Sequence, residues 1–448
     1  MTFSPALLLA APLPVPRLMI RAALVLAVAA LALPAAHAQG QNNYGSVYSR
    51  YGLGERTEFG SSQSEMLGGA QTALRSTFYN GLSNPALWAD QQVTTFSAAV
   101  GLQGVRSTDA VSTTASRATA GDVAGLQLGV PLIPARLGLT LGYRPYSRVN
   151  YRASIPGRLI TEEDTTDYAL NQEGGGGIQR ISGGLGLRLG QAVQIGASAD
   201  VLFGTVEYIQ RTTFDTGTFT EVRQSRATRL SGISGTVGAL VTARSIASDD
   251  DAVSLGLAVT LPTRLRGTQT LTLGQSLDRD TLATSEDGRA TLPLLARGGL
   301  SYRSGARWTA ALDATYEPWS SFSSTLPLGG YNAATGVDEL RDRYRLGGGI
   351  EVIPAGRSRN ASVLAQTAYR IGAYGERGLY APSGESVQTL ALTGGLSIPN
   401  RLSGARIDLG FEVGTRGATE GALVRDVFAR GSLTLNFGER WFIRRRIE

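Results

Sequence analysis

The sequence predicts an all-β protein: a closed antiparallel transmembrane barrel of about fourteen strands, filled by an N-terminal plug or hatch segment. Three observations carry this. Apolar and polar residues alternate with a period of two, again and again, from about residue 91 to the C-terminal end. The connections between these segments alternate between long and short. Beyond an export-type N-terminus, no run of 18 or more apolar residues exists from which a spanning helix could form.

The alternation is plain in "QAVQIGASADVLF". Val193, Ile195, Ala197, Ala199, Val201 and Phe203 share one face, and Gln194, Gly196, Ser198 and Asp200 the other. "RWTAALDATYE" and "RIDLGFEVG" repeat the pattern. Successive side chains of a strand point to opposite sides, so each segment has one oily and one wet face. Such segments centre near Ala98, Leu128, Leu139, Leu185, Ile195, Val237, Leu257, Leu300, Leu312, Ile350, Ala365, Leu392, Leu409 and Leu435.

The loop lengths distinguish a barrel from a soluble sandwich, which has no reason to sort its connections by length. Long stretches such as 145–177, "TVEYIQRTTFDTGTFTEVRQSR" and "EPWSSFSSTLPLGGYNAATGVDELRDR" alternate with "PLIPAR", "LGQA" and "RSGA". Outer-membrane barrels have short periplasmic turns and long outer loops, with strands running on beyond the bilayer. This arrangement predicts both chain ends in the periplasm. In lipid, an unpaired sheet edge costs several kcal/mol per group, and closure removes the edge. The oily face then meets membrane lipid, and Arg144, Arg188, Asp200, Asp313, Glu317, Arg345, Glu351, Arg370, Asp408 and Glu412 are expected to face the lumen. Tyr143, Trp308, Tyr316, Trp319, Tyr344 and Tyr369 are candidates for interfacial girdles.

Residues 1–38 read as a secretory signal: Arg17 and Arg21, the apolar "AALVLAVAALALP", and a small-residue cleavage pattern at Ala36-His37-Ala38. An uncleaved anchor is the alternative. Removing the signal lowers the net charge from +6 to +4 (40 basic less 36 acidic residues). All the basic residues are Arg, scattered among acids, so no nucleic-acid-binding face is expected.

The chain has no Cys, and its one His lies in the signal, which removes thiolate and imidazole chemistry. The sequence therefore nominates no catalytic residue, no metal site and no cofactor. Asp249-Asp250-Asp251 has the right atoms for calcium but reads as a solvated turn, and the Asp313/Glu317 pair reads as luminal rather than hydrolytic. Gly174 to Gly177 read as a flexible loop.

Residues 39–90 do not alternate, and they contain a possible short helix from Glu65 to Leu74 and several aromatic residues that favour burial. This divides the mature chain into a plug, 39–90, and a barrel, 91–448. "MLGGAQTAL" (66–74) followed by "SNPALWAD" (83–90) resembles the N-terminal pattern of the long-chain fatty acid transporter family, FadL/TodX, and "VYSRYGLGE" (47–55) resembles the opening of Bacteroidetes-type relatives. The resemblance implies a fourteen-stranded outer-membrane barrel of a Gram-negative bacterium, placed there by the insertion machinery. It also implies that hydrophobic small molecules, such as long-chain fatty acids, pass down their gradient through an opening in the wall. Asn84, Pro85 and Ala86 would correspond to the hatch turn, and Gly68, Gly69 and Ala70 to the segment before it. The alternative is a barrel of the same fold that serves as a secretion shuttle or attachment protein, as in type IX secretion, with loops that bind protein. The C-terminal "LNFGERWFIRRRIE" departs from the terminal aromatic residue common in such barrels.

Overall fold

The computed structural model describes residues 45–439 apart from 111–114, 161–164, 216–218, 275–278, 357, 359, 401–404 and 422. The expected signal segment lies outside these residues. One sheet dominates, and its fourteen antiparallel strands close on themselves.

In order these are β1 (Thr94–Thr108), β2 (Ser116–Ile133), β3 (Leu137–Pro145, resuming as Tyr151–Ile160), β4 (Thr165–Leu189) and β5 (Val193–Phe214). There follow β6 (Val222–Arg244), β7 (Asp251–Thr260 and Thr263–Gly274), β8 (Arg279–Leu292 and Leu295–Ser304) and β9 (Trp308–Glu317, with Ser323–Ser324 beyond a bend). The last five are β10 (Arg343–Val352), β11 (Ala368–Arg377), β12 (Gln388–Pro399), β13 (Arg406–Arg416) and β14 (Arg425–Glu439). Each pairs with its sequence neighbour, and β14 pairs with β1 from Thr94↔Glu439 to Thr108↔Arg425, which closes the ring.

The alternation sets which face points where. On β5, Val193, Ile195, Val201 and Phe203 are exposed on the outside, while Gln194 and Asp200 are buried within. The same holds for Leu312 against Asp313 and for Leu409 against Asp408. This outer belt is a lipid-facing surface; one charge at its midplane would cost ~2–4 kcal/mol. Among the described residues no helix is long and apolar enough to cross a membrane.

Most of the long stretches are strand rather than loop. β4 reaches 25 residues and β6 reaches 23, extending the wall well past the belt at one end. Four expectations need correction. Ala365 lies in a four-residue helix, Val363–Gln366, capped by Ser362; β11 begins three residues later. Trp319 is not a girdle residue: it is buried inside the long-loop end, its Nε1 donating to Glu317 at 2.9 Å. The expected 65–74 helix is a single turn, Ser62–Glu65, because Gly68 and Gly69 adopt φ of +70° and +86°.

Gly174–Gly177 form no loop but a continuous part of β4, paired in register with Thr205–Tyr208 of β5, with φ of +92° at Gly176 and +136° at Gly177. A side chain at Gly177 would collide with the Ser147 carbonyl, so glycine here lets the neighbouring strand bend inward. Asp251 closes its turn by accepting from the amides of Ile246, Ala247 and Ser248 at 2.7–3.1 Å.

Candidate functional site

Residues 45–93 run through the lumen from one end to the other. At the long-loop end the Gly45 amide donates to the Asn150 carbonyl (2.9 Å), and Tyr48 Oη donates to the Val424 carbonyl (2.7 Å). At the short-turn end Asp90 meets Arg188, and the chain then enters β1. The N-terminal end of the described chain therefore lies opposite the end expected for it, because this segment threads the whole barrel before the first strand.

Wall glycines let the segment lie directly on the sheet. Side chains at Gly347 or Gly372 would strike Gly68; at Gly256, Thr72; at Gly186 or Gly196, Pro85; at Gly238, Asn84. Much of the unusual glycine content is explained here: backbone packs on backbone, and a Cβ would hold the two apart.

Polar wall residues then tie the segment down. Asp313 accepts from the amides of Gln71 and Thr72 and from Thr72 Oγ1 at 2.6–2.9 Å. Arg144 donates to the carbonyls of Phe59 (2.5 Å) and Leu82 (3.3 Å). Arg370 bonds Glu351 (2.6 Å) and donates to Tyr79 Oη (3.2 Å), while Glu351 accepts from Gln63 (3.0 Å). Asp408 accepts from Ser62 Oγ and Asn436. Asp200 pairs with Arg180 at 2.6 Å, and Glu412 accepts from Tyr374 Oη at 2.6 Å.

The densest cluster holds Glu58. Its carboxylate meets Arg297 (2.6 Å) and Arg343 (2.7 Å); Arg343 also meets Glu317 (2.5 Å) and Glu376 (2.7 Å), and Arg345 meets Glu376 at 3.1 Å. Arg56 adds a 3.3 Å contact to Glu317 and lies over the Tyr146 ring. Burial alone would raise the Glu58 carboxyl, but Arg297, Arg343 and Arg56 hold it well below the usual carboxylate range.

One sector of the wall is unpaired. β2 bonds β3 only from Leu126 to Ile133, while its upper part, Ser116–Gly125, pairs with β1 alone. Beyond Pro145, β3 turns into the lumen, where Ser147–Arg148 pair with Glu55–Arg56 of the N-terminal segment, and it returns to the wall at Tyr151. Arg148 spans the resulting gap, pairing with Asp122 and donating to the Val123 carbonyl at 3.3 Å.

Behind this gap lies a cavity of about 160 Å³, reached past Gly121 and Asp122 and bounded within by Glu65, Tyr374, Glu412 and Arg430. Glu65 Oε2 has no hydrogen-bond partner among the described residues. Burial pushes this carboxyl up to about 7, against the pull of Arg430.

Residues 19–448 match the sequence family described as BamG. The chain belongs to the BamG family. Its fold is that of several solved barrels. The toluene transporter TbuX of Ralstonia pickettii has 16% identity and a TM-score of 0.53, covering 85% of this chain and 98% of its own. The toluene transporter TodX of Pseudomonas putida has 14% identity and a TM-score of 0.52, covering 87% and 100%. A FadL homologue of Pseudomonas aeruginosa has 12% identity and a TM-score of 0.54, again covering 87% and 100%. No curated protein matches the chain.

In this BamG-family barrel, the residues singled out from the sequence fall in several separate contacts rather than one site. Asn84, Pro85 and Ala86 open a buried 3₁₀ turn, Pro85–Asp90, that packs on β4, β5 and β6 near the short-turn end. Gly68 and Gly69 lie against a different part of the wall, β10 and β11, and Ala70 is buried beside them. Asn84 Oδ1 accepts from the Ala86 amide (3.0 Å), and Nδ2 donates to the carbonyls of Thr72 (2.7 Å) and Ala239 (3.2 Å). Asn84→Ala is expected to cost about 1–3 kcal/mol, since it strands buried acceptors and removes a cap. Urea unfolding of the detergent-solubilised protein measures this; an unchanged midpoint would mean that the turn is held by packing alone.

Sequence reasoning missed Glu58, Asp90, Arg180, Arg297, Arg343 and Glu376. Arg343 shares the inward parity of Arg345 and Glu351, and Glu376 that of Arg370, so extending each strand by one repeat would have found them. Glu58 and Asp90 lie in a segment without periodicity, where no such signal exists.

Proposed function

We propose that this protein is an outer-membrane channel for the passive uptake of hydrophobic compounds carrying a polar head, long-chain fatty acids among them, with residues 39–90 as its plug. The observation that carries this is the gap between β2 and the bent β3, which joins the lipid-facing surface to the cavity behind it. About 160 Å³ is too small for an acyl chain but ample for a head group, so the chain would stay in lipid while the head enters past Asp122 and Arg148. Apolar burial at roughly 25 cal/mol per Å² would drive binding, and the cavity's charged groups would orient the head. The toluene channels of the same fold make the same class of cargo reasonable here.

A second reading, a membrane partner that binds protein through its long end, is favoured by the ion pairs that fix the luminal segment. Uptake of labelled oleate by cells with and without the protein separates the two readings. Greater uptake with the protein supports the channel, and equal uptake supports the protein-binding partner. Deleting residues 39–90 is expected to raise nonspecific conductance in planar bilayers severalfold. Unchanged conductance would count against a plug.

A further inference from the structure

A second cavity, of about 370 Å³, lies at the long-loop end, away from the wall gap. We infer that it is a binding site for an acidic saccharide, a sugar ring bearing a carboxylate or phosphate. The inference is independent of the uptake reading.

The floor of the cavity follows from strand register. Gln172 on β4 stands opposite Gln210 on β5, which stands opposite Gln224 on β6, so three amides form a row across the sheet. In the adjacent row Tyr208 pairs with Arg226. Directly opposed side chains lie about 5 Å apart, a spacing at which neighbouring amides can engage neighbouring hydroxyls of one ring. Among the described residues, none of the three glutamine amides has a side-chain hydrogen bond, and neither Arg226 nor Arg50 has an ion-pair partner.

The walls supply the other half of the chemistry. Tyr51, Tyr151 and Tyr208 line it, with Tyr208 Oη anchored on the Gly52 carbonyl at 3.0 Å and Arg50 lying over the Tyr51 ring at 4.7 Å. Aromatic faces pack on the C–H faces of sugars, and amides pair with hydroxyls. Two guanidiniums against the single carboxylate of Glu339 favour an anion, for which arginine's fork is suited. An apolar ligand would desolvate these groups without replacing their hydrogen bonds, which argues against one here. The volume lies within the ~300–1,000 Å³ of small-molecule sites.

Isothermal titration of the full-length barrel in detergent tests this, with digalacturonate, lactose and inorganic phosphate as probes. Saturable binding of digalacturonate is expected, at least tenfold tighter than lactose or phosphate. Arg226→Gln should weaken it about tenfold, the loss of one charge-assisted hydrogen bond, and Arg50→Gln should do likewise. Retained heat-modifiable gel mobility confirms that the variants are folded. No saturable binding, equal affinity for lactose, equal affinity for phosphate, or an unchanged affinity in both variants would each overturn the assignment. Delipidated lipopolysaccharide core oligosaccharide as competitor identifies the source: displacement points to a glycan of the membrane surface, and its failure to a free saccharide.

Discussion

Glu58→Ala is expected to loosen the N-terminal segment from the wall and to cost about 3 kcal/mol or more. Glu58 is the carboxylate through which that segment reaches Arg297 on β8 and Arg343 on β10. Removing it leaves four guanidiniums, those of Arg56, Arg297, Arg343 and Arg345, facing only Glu317 and Glu376. Arg297 then has no carboxylate within reach among the described residues. Breaking a buried pair by deleting one partner typically costs about 3–5 kcal/mol, because the remaining charge is neither hydrated nor paired. The readouts are a lower thermal midpoint and the appearance of large, flickering conductance in planar bilayers.

The same group gives a pH dependence. Its carboxyl lies well below the ordinary range when folded, so the stabilisation is present above the unfolded value of ~4.3 and is lost as pH falls towards the folded value. Acid should therefore open the wild type towards the behaviour of the variant, with the variant's own midpoint changing less over the same acidic interval. A variant that stays closed, with an unaltered midpoint, would show that glycine-mediated backbone packing holds the segment without this cluster.

The barrel was legible in the sequence because a lipid-facing wall leaves a residue-by-residue signature. A one-residue slip would turn Asp200 or Asp313 into lipid and Ile195 or Leu312 into the lumen, so the period of two is strictly enforced. What the strands do away from the belt was not legible. β3 bends inward at Pro145–Asn150, yet "YRPYSRVNYRAS" differs little from a strand running into a loop. The bend is permitted by glycines on the neighbouring strand, and a local reading of Gly174–Gly177 cannot reveal what those glycines accommodate. For the same reason Ser61–Glu65 and Pro85–Asp90 show recognisable caps in the sequence, while the path between them is set by wall residues hundreds of positions away.

Cross-linking the two sides of the wall gap should abolish the uptake proposed for this barrel, whereas cutting the natural tie should only quicken it. Among the described residues, Arg148 and Asp122 form the ion pair that crosses the gap, and both side chains keep about a quarter of their surface in contact with solvent. Pairs so exposed contribute ~0–1 kcal/mol, so Arg148→Ala should raise the rate of oleate uptake no more than about fivefold. A covalent bridge works on another scale, because it removes the open state altogether. The protein has no cysteine, so Asp122→Cys with Arg148→Cys introduces the only two thiols. An arginine–aspartate pair reaches further than a disulfide, which needs Cα atoms within about 7 Å, so a short, reducible thiol-to-thiol linker is the appropriate bridge. Uptake should stop on linking and return on reduction. A third thiol, at Gln103→Cys in the cavity lining, separates gating from transport. A lipid-soluble maleimide should label it in the unlinked barrel and fail to do so once the gap is bridged. If labelling is blocked but oleate uptake never depended on the protein, the gap is a real opening and the cargo is wrong. If the bridge changes neither, molecules do not pass between β2 and β3, and the bend in the wall serves only to seat the N-terminal segment.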